Sequence, residues 1–466
     1  MKDQVKQIHF VGIGGVGMAG IAEVCLNLGF DVTGSDIQSN QTVQRLQSQG
    51  AQIQMGHEAN LVKNADVVVV STAIAKGNTE VDWAKKQRVP VIPRAEMLAE
   101  LMRMRHGIAI AGTHGKTTTT SLAAALLTQG GLDPTYVIGG KLNQIGSNAR
   151  LGEGQYLLAE ADESDASFLH LSPMISVVTN IDEDHMETYQ GDYEVLEKTF
   201  IEFIHRLPFY GLSILCADDE NVQKMIPKLS RKVSTYGLSA SADVRAINVQ
   251  AKGLQMQFEV ESEIHETFAV TLNIPGEHNV RNALAAISIG LKLGVEVAAM
   301  QAALVNFAGV GRRFEVYPHR GIGGSDVTLI DDYGHHPTEL EATIDTARNA
   351  FANQRLVLVF QPHRFSRTRD LFDEFVTALL KADLVILTEV YAAGETPLTN
   401  FDSKSLLQAL RTRGGEGIFA EDFEALDTIA SETLQKDDAV LVMGAGNIGQ
   451  VSKKWMSIEL AASNGK

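Results

Sequence analysis

Cysteine is scarce in this 466-residue sequence, which has only Cys25 and Cys216. Two cysteines cannot form the disulfide framework of a small secreted domain, so we expect a reducing compartment, the cytoplasm. The opening "MKDQVKQIHF" has no apolar signal core, and no apolar run approaches membrane-spanning length. These absences argue against a secreted or membrane-embedded protein.

Positive charge is also in short supply, since 40 Lys and Arg face 57 Asp and Glu, a formal net charge of -17. This balance argues against a broad surface for nucleic acid or an anionic membrane. The hydrophobic fraction of 44% is ample for packed cores, and the length suits about three domains. We therefore expect small-molecule substrates and no nucleic-acid or membrane partner, and the sequence leaves monomer and homodimer open.

Strand-like and helix-like segments alternate along the whole chain, a pattern typical of α/β domains with doubly wound parallel sheets. We predict domains over residues 1–106, 107–311 and 312–466, the first ending in an amphipathic helix that breaks at Gly107. Short alternating segments over 244–274 predict a small antiparallel appendage on the central domain. The predicted strands are 8–11, 31–34 and 66–70; 108–111, 156–161, 175–180 and 213–217; and 327–332, 355–360, 383–390 and 439–444, with a helix over 279–294.

A first glycine-rich motif, "GIGGVG", follows the first predicted strand and precedes a helix. This arrangement is the fingerprint of a pyrophosphate held at a helix N-terminus, with Asp36 at the end of the second strand as a ribose partner. A lone motif of this kind cannot distinguish NAD from UDP. The loop residues that we assign to it are Gly12, Gly14, Gly15, Val16 and Gly17.

A second motif, "AGTHGKTTTT" at 111–120, predicts a loop that binds a nucleoside triphosphate. Lys116 would neutralise the β- and γ-phosphates, and the Thr117 hydroxyl would bind Mg²⁺. The loop lacks the first glycine of a complete Walker A motif, because Ile110 stands there. The alternative is an ordinary turn with Thr117 as a helix cap. The predicted ATP-binding residues are Gly112, Thr113, His114, Gly115, Lys116, Thr117 and Thr118.

Polar clusters follow two of the predicted central strands. Carboxylates at the carboxyl edge of strands beside a phosphate loop are well placed for Mg²⁺, although acidic clusters after strands are often solvated loops. The first cluster contains Glu160, Asp162, Glu163 and Asp165, and the second contains Asn180, Asp182, Asp184 and His185.

Six motifs in order resemble the Mur ligase family: "GTHGKTTTT", "TNIDEDHMETY", "IPGEHNVRNALAA", "GVGRRFE", "DDYGHHPTE" and "FQPHRFSRTRDLF". The family uses ATP to build the peptide stem of bacterial peptidoglycan. The resemblance implies a Rossmann-like UDP-binding domain, a central P-loop-type ATPase domain and a C-terminal Rossmann-like α/β domain that binds the amino acid. Within the family, "GIGGVGM", "DDYGHHPTE" and "QPHRFSRTRD" resemble the ligases that join L-alanine to UDP-N-acetylmuramic acid.

The resemblance also implies the chemistry. The lactyl carboxylate of the sugar nucleotide attacks the γ-phosphate of ATP, and alanine then attacks the acyl phosphate through a tetrahedral intermediate. It assigns the first glycine loop, with Asp36 and Ser71, to UDP rather than NAD. It places Thr117 and Glu160 on one Mg²⁺ and His185 on a second, although Mg²⁺ prefers oxygen ligands.

The adenine site would be formed by "PGEHNVRNA", with Asn279 as a helix cap in the alternative interpretation. Arg313 would reach the γ-phosphate, with Arg312 as the less favoured neighbour, and Asp332 would meet the ribose side. The residues assigned to adenine are His278, Asn279 and Asn282.

Histidines and arginines of the third domain would serve the amino acid and the reaction. Tyr333, His335 and His336 would face the reaction space, while Arg364 and Arg367 would clamp carboxylate and anionic intermediates beside His363. We interpret Arg369 as an exposed charge and "GAGNIG" as a structural turn. The base for the amine stays open among His185, His335, His336 and His363.

Three other functions remain open from sequence. One is a recycling ligase that joins a tripeptide to UDP-N-acetylmuramic acid, one is an NAD-dependent oxidoreductase, and one is a non-catalytic ATP-binding switch.

Overall fold

The computed structural model describes residues 1, 4–71, 73–139 and 149–459, and it contains three β-sheets. The chain separates into two compact units. One comprises Met1–Asn248, Phe258–Thr271 and Val280–Ala308, and the other Val249–Gln257, Leu272–Asn279 and Gly309–Lys466. None of the helices in the described part of the chain combines the length and apolar character that a membrane crossing needs.

The first sheet has five parallel strands in the order β3-β2-β1-β4-β5, with helices between them. The chain runs outward from β1 to β3 and then returns to start again at β4. In such sheets the ligand crevice opens at this reversal, outside the carboxyl ends of the strands. The elements are β1 Gln7–Val11, α1 Val16–Asn27, β2 Asp31–Asp36, α2 Gln41–Ser48, β3 Gln52–Met55, β4 Val67–Val70, α3 Thr79–Gln87, β5 Val91–Pro93 and α4 Arg94–Arg103.

The predicted break at Gly107 is wrong. Helix α4 already ends at Arg103, and Gly107 is the second residue of a strand, His106–Ala111. A Cβ added at Gly107 would lie 2.3 Å from Met102 Cγ. The glycine therefore serves close packing inside a strand, a use that sequence alone does not distinguish from a chain break.

The second sheet has ten strands in the order β15-β14-β13-β12-β11-β10-β6-β9-β7-β8. Its elements are β6 His106–Ala111, α5 Lys116–Gln129, β7 Thr135–Val137, β8 Ala149–Arg150, β9 Tyr156–Glu160, β10 Ile175–Val178, α6 Tyr193–His205, β11 Leu212–Cys216, α7 Glu220–Met225, β12 Lys232–Gly237, β13 Val244–Lys252, β14 Gln255–Ser262, β15 His265–Leu272, α8 Glu277–Lys292 and α9 Val297–Val305.

This second sheet is mixed, whereas we expected a parallel sheet with an antiparallel appendage. The appendage exists as β13–β15, whose connections of two residues require antiparallel neighbours. It is continuous with the main sheet, because β13 pairs in parallel with β12. The antiparallel pair of β7 and β8 was not predicted, since strands of three and two residues carry no periodic signal.

The third sheet has the order β16-β17-β21-β18-β19-β20 and is parallel except for the edge strand β16. Its elements are β16 Glu315–Ile322, β17 Ser325–Asp332, α10 Pro337–Ala350, β18 Leu356–Phe360, α11 Phe365–Asp370, α12 Phe372–Leu379, β19 Leu384–Thr388, α13 Ser403–Thr412, β20 Gly417–Ala420, α14 Phe423–Thr433, β21 Ala439–Met443 and α15 Gly449–Met456.

Strand β18 shows how this third sheet is covered. Its alternate residues Leu356, Leu358 and Phe360 pack into one core with α10, α12 and α13, while Val357 and Val359 pack into another with α14 and α15. Helices on both faces explain why the strand is apolar throughout. The predicted α/β architecture with three domains is confirmed, and the exact boundaries at 106/107 and 311/312 stay predictions.

Candidate active site

The second glycine motif forms a strand–loop–helix turn between β6 and α5. Gly112 and Gly115 have φ angles of 127° and 81°, and Gly115 is the N-cap of α5. The predicted context for a phosphate loop is therefore present, with the loop at the N-terminus of a 14-residue helix. Thr118 lies in the first helical turn and is buried.

The residues after β10 hold this loop in place. The Asn180 amide accepts from the backbone N–H of His114 at 2.8 Å and donates to the His114 carbonyl at 3.0 Å. The Thr179 hydroxyl donates to that carbonyl at 2.6 Å, and the backbone N–H of Asp182 donates to the Thr113 hydroxyl at 2.9 Å. The shape of the loop is thus imposed by the segment that follows the neighbouring strand.

Lys116 is the first residue of α5 and directly follows the loop. Its ammonium donates to the carbonyls of Gly112 and Thr113 at 2.6 and 2.9 Å, and it contacts both oxygens of Glu163 at 2.9 and 2.8 Å. Burial opposes its charge, but the carboxylates of Glu163, Asp162 and Glu160 raise the pKa of Lys116. The loop therefore holds a cation at the N-terminus of α5.

Strands β9 and β10 flank β6, so the two polar clusters lie on either side of the loop. Glu160 ends β9 and accepts from the backbone N–H of Gly139 at 2.7 Å. His185 has a φ of 54° and its backbone N–H donates to Asp184 at 2.9 Å. The Glu160 carboxylate and the Thr117 hydroxyl are oxygen donors, which fit Mg²⁺.

The first glycine loop lies at the carboxyl ends of β1, β2 and β4. Gly12 and Ile13 donate their N–H groups to the Ser35 carbonyl at 2.8 and 3.0 Å. Asp36, predicted as a ribose partner, uses one oxygen to accept from the Gly14 N–H at 2.8 Å. The N–H groups in the first turn of α1, from Val16 onward, are not used by hydrogen bonds within the helix. They are the donors that a ligand at this loop would meet.

Ser71 follows β4, which pairs with β1, and so lies at the same edge of the sheet. Gly17 lies in the first turn of α1, where an added Cβ would lie 2.4 Å from the Arg94 guanidinium. Gly15 is the N-cap of α1. The structure thus brings the residues assigned to the UDP-sugar site together.

The residues assigned to adenine lie in the first turns of α8, and each makes a different contact. Asn279 donates to the Pro275 carbonyl at 2.6 Å, which closes the turn before the helix. Asn282 accepts from the Thr119 hydroxyl at 3.1 Å and lies against Gly115 of the phosphate loop. His278 lies against Gly276, whose φ is 101°.

In the second unit, the two adjacent arginines differ in their contacts. Arg312 binds Asp331 at 3.2 Å and the Gly444 carbonyl at 2.8 Å, so its guanidinium holds the strands together. Both guanidinium groups lie over the Tyr333 ring, at 5.3 Å for Arg312 and 5.5 Å for Arg313, and Arg313 is also 3.8 Å from Glu339. Within this unit, Arg312 therefore makes more hydrogen bonds than the one ion pair of Arg313 at 3.8 Å.

A row of aromatic and imidazole rings lies at the carboxyl edge of the third sheet. The ring centroids of His335 and His363 are 5.4 Å apart, and His363 stacks on Tyr391 at the same separation. Buried Arg367 contacts His363 Nδ1 at 3.3 Å. Arg364 is the N-cap of α11 and has a φ of 71°. The sequence-predicted residues of the amino-acid site therefore converge.

His336 and two further predicted features have structural roles. His336, expected to face the reaction space, is buried and caps α10, where its ring accepts from the Thr338 N–H at 3.4 Å. The "GAGNIG" turn is held by Gln361, which binds Asn447 and the N–H of Ile448. Arg369 pairs with its exposed neighbour Asp370, as expected of a surface charge.

Asp332 is buried at the end of β17 and accepts from the N–H groups of Gly334 and Phe314 at 2.7 and 2.8 Å. Burial raises its pKa to about 6, although Arg313 acts in the opposite direction. The folded chain therefore holds the Asp332 proton more tightly than the unfolded chain.

That difference predicts a pH-dependent stability. Between pH 4 and 6 the folded state binds more protons, so the free energy of unfolding falls as pH rises through this window. We expect the wild type to lose up to about 3 kcal/mol relative to Asp332→Asn between pH 4 and 7. Urea unfolding of both proteins across this range is the measurement, and a constant difference would show that Asp332 ionises freely.

Sequence reasoning missed several supporting residues. Tyr391 directly follows a predicted strand, and nothing in the sequence signals its stacking on His363. Beneath the first glycine loop, Glu80 is fully buried and accepts from the Ser35 hydroxyl at 2.6 Å. Burial opposes its ionisation, but hydrogen bonds with His9, Ser35 and His57 lower the pKa of Glu80. A lone Glu in a helix carries no such signal.

Three family models match the chain in order. They are described as "Mur ligase family, catalytic domain" over residues 7–106, "Mur ligase middle domain" over 110–290, and "Mur ligase, glutamate ligase domain" over 312–446.

Curated relatives and solved structures agree with these models. The chain is 69% identical to the UDP-N-acetylmuramate–L-alanine ligase of Hydrogenovibrio crunogenus over 98% of this chain and 99% of that protein. It is 54% identical to the ligase of the same name from Methylococcus capsulatus, over 97% and 96%. The UDP-N-acetylmuramate–alanine ligase structure from Thermotoga maritima has a TM-score of 0.81 at 30% identity, over 96% and 98% of the two chains. A murein peptide ligase from Psychrobacter arcticus has a TM-score of 0.71 at 25% identity, over 97% and 98%.

Proposed function

This chain belongs to the Mur ligase family, and we propose that it joins L-alanine to the lactyl carboxylate of UDP-N-acetylmuramic acid with ATP. The products are the amide, ADP and phosphate, in the first step of the peptidoglycan peptide stem. The observation that supports the ATP chemistry is the Gly112–Thr117 loop, which leads from β6 into the long helix α5. Strand β6 lies between β9, which ends at Glu160, and β10, which is followed by the loop with His185. Identity over nearly the full chain supports the two other substrates.

The reaction brings two anions together, so charge neutralisation is its largest demand. Lys116 binds the β- and γ-phosphates, and Arg313 adds a second fixed cation. Thr117 and Glu160 would hold Mg²⁺, and His185 would hold a second Mg²⁺; the metal supplies further charge neutralisation on the phosphates. Thr113, His114 and Thr118 complete the phosphate loop, while His278, Asn279, Asn282 and Asp332 serve the nucleoside.

The sugar nucleotide lies at the first glycine loop. Its diphosphate meets the N-terminus of α1, where backbone N–H groups and the helix dipole favour negative charge. Arg364 and Arg367 bind the alanine carboxylate, with His335 and His363 beside the amine. Arg367 is buried and touches His363, so it also orients that ring.

Phosphate release from ATP with Mg²⁺ and UDP-N-acetylmuramic acid tests this function. The acceptors are L-alanine, glycine, L-serine, D-glutamate and the L-Ala-γ-D-Glu-meso-diaminopimelate tripeptide, with mass detection of the product. We expect the fastest release with L-alanine and a product mass of sugar nucleotide plus alanine less water. Release with the tripeptide alone would instead identify a recycling ligase, and none with any acceptor would contradict ligase activity.

A further inference from the structure

Glu163 is a buried carboxylate to which the proposed reaction assigns no role. It lies in the loop after β9 and is 3% exposed. Both of its oxygens contact the Lys116 ammonium, at 2.9 and 2.8 Å. Burial raises the pKa of Glu163, while the Lys116 ammonium acts in the opposite direction. Such a group is tolerated when a cation is paired with it.

The Lys116 ammonium has three N–H donors, and the structure provides three partners. Two are the carbonyls of Gly112 and Thr113, and the third is Glu163. A phosphate oxygen that binds this ammonium must therefore replace one partner. Of the three, Glu163 alone is charged, so exchanging it for a phosphate oxygen replaces one anion by another.

The position of Glu163 is fixed from a second side. Its backbone carbonyl accepts from the hydroxyl of Tyr189, which is buried, and from the N–H of Ala166 at 2.9 Å. Its neighbour Asp162 is held by Arg94 at 3.1 Å and by the Ser164 hydroxyl at 2.7 Å. These contacts hold the backbone at Glu163, so its side chain reaches the Lys116 ammonium from a fixed attachment point.

From these contacts we infer that Glu163 is the positioning residue for Lys116: it holds the ammonium in the loop before ATP binds and limits its movement toward the γ-phosphate. The inference rests on the proposed function, in which Lys116 binds the phosphates. Glu163 also faces the incoming triphosphate with a negative charge. We therefore expect Glu163 to affect kcat rather than ATP affinity. Its negative charge repels the bound triphosphate, while its contact with Lys116 orients the ammonium.

The test compares Glu163→Gln and Glu163→Asp with the wild type. The readouts are kcat for phosphate release and the Kd of the non-hydrolysable analogue AMP-PNP with Mg²⁺, by calorimetry. We expect Glu163→Gln to lower kcat about 10- to 100-fold, the size of effect that small misplacement of a reacting group produces. Its Kd should be unchanged or tighter, and Glu163→Asp, which keeps the charge, should restore part of kcat.

Glu197→Gln is the matched control. Glu197 is another buried glutamate that binds a lysine, Lys228, at 2.6 and 2.7 Å, and it lies on α6. We expect this variant to keep both the wild-type kcat and the wild-type Kd. The control separates the loss of a buried ion pair in general from the loss of the pair in the phosphate loop.

Two results would overturn the inference. A folded Glu163→Gln protein with kcat within about 3-fold of wild type would show that the carboxylate does not guide the lysine. A parallel loss of kcat and AMP-PNP affinity would show that Glu163 only holds the loop together. If Glu163→Gln does not fold, Glu163→Asp decides, since a wild-type kcat in that variant would equally show that the placement of the carboxylate does not matter.

Failure of the proposed function would give a different result, namely no L-alanine-dependent phosphate release by the wild-type protein. The inference about Glu163 is tested instead by the ratios of kcat and Kd between each variant and the wild type. Those ratios are taken with whichever acceptor supports phosphate release.

Discussion

Lys116→Ala is expected to lower phosphate release by about 10³-fold or more, while binding of UDP-N-acetylmuramic acid stays near wild type. The ammonium is the cation of the phosphate loop, so its loss removes charge neutralisation where the two anions meet. The glycine loop assigned to the sugar nucleotide belongs to another sheet and holds no contact with Lys116 among those described. Calorimetry with the sugar nucleotide and a phosphate-release assay measure the two quantities.

Lys116→Ala leaves Glu163 buried without its cation, which costs about 3–5 kcal/mol in comparable pairs. Lys116→Ala combined with Glu163→Gln removes that orphaned charge and should recover stability without recovering activity. Lys228→Ala, which breaks the Glu197 pair on α6, is the control for losing a lysine elsewhere. Equal loss of turnover and sugar-nucleotide binding in a folded Lys116→Ala protein would contradict separate phosphate sites.

The sequence predicted which candidate residues lie close together because parallel strands gather their carboxyl ends at one edge of a sheet. Glycine motifs directly after apolar strands therefore located both strand-to-helix loops, and the polar residues after 156–160 and 175–178 are expected beside the second loop. The structure pairs β6 with both β9 and β10. This part of the site follows from topology alone.

The supporting contacts could not be predicted, because each joins residues distant in sequence without a local pattern. The sequence places Asn180 in a polar cluster suited to a metal, yet its amide forms two hydrogen bonds with the backbone of His114 in the loop. Asp36 was interpreted as a ribose partner, yet one oxygen closes the turn at Gly14. Gly107 marked a break in the sequence and is a packing position in a strand. Amino-acid specificity came from the family resemblance, since no spacing encodes it.

Gly112→Ala is expected to destabilise the chain by about 2–5 kcal/mol and to weaken ATP binding by about 100-fold or more. Gly112 has a φ of 127°, which a residue with a Cβ rarely adopts. A Cβ there would lie 2.1 Å from Thr179 Oγ1 and 2.9 Å from the Thr179 backbone N. The Thr179 side chain could rotate away from the added Cβ, but the Thr179 backbone could not. The phosphate loop would therefore have to move.

Gly131→Ala is the control for backbone strain without crowding. Its φ of 75° is also positive, but a Cβ there would meet no atom within 4 Å. We expect a cost of about 1–2 kcal/mol and unchanged ATP affinity. Urea unfolding and AMP-PNP calorimetry on both variants separate the two contributions. A Gly112→Ala protein with the stability and affinity of Gly131→Ala would mean that the contact with Thr179 does not set the shape of the phosphate loop.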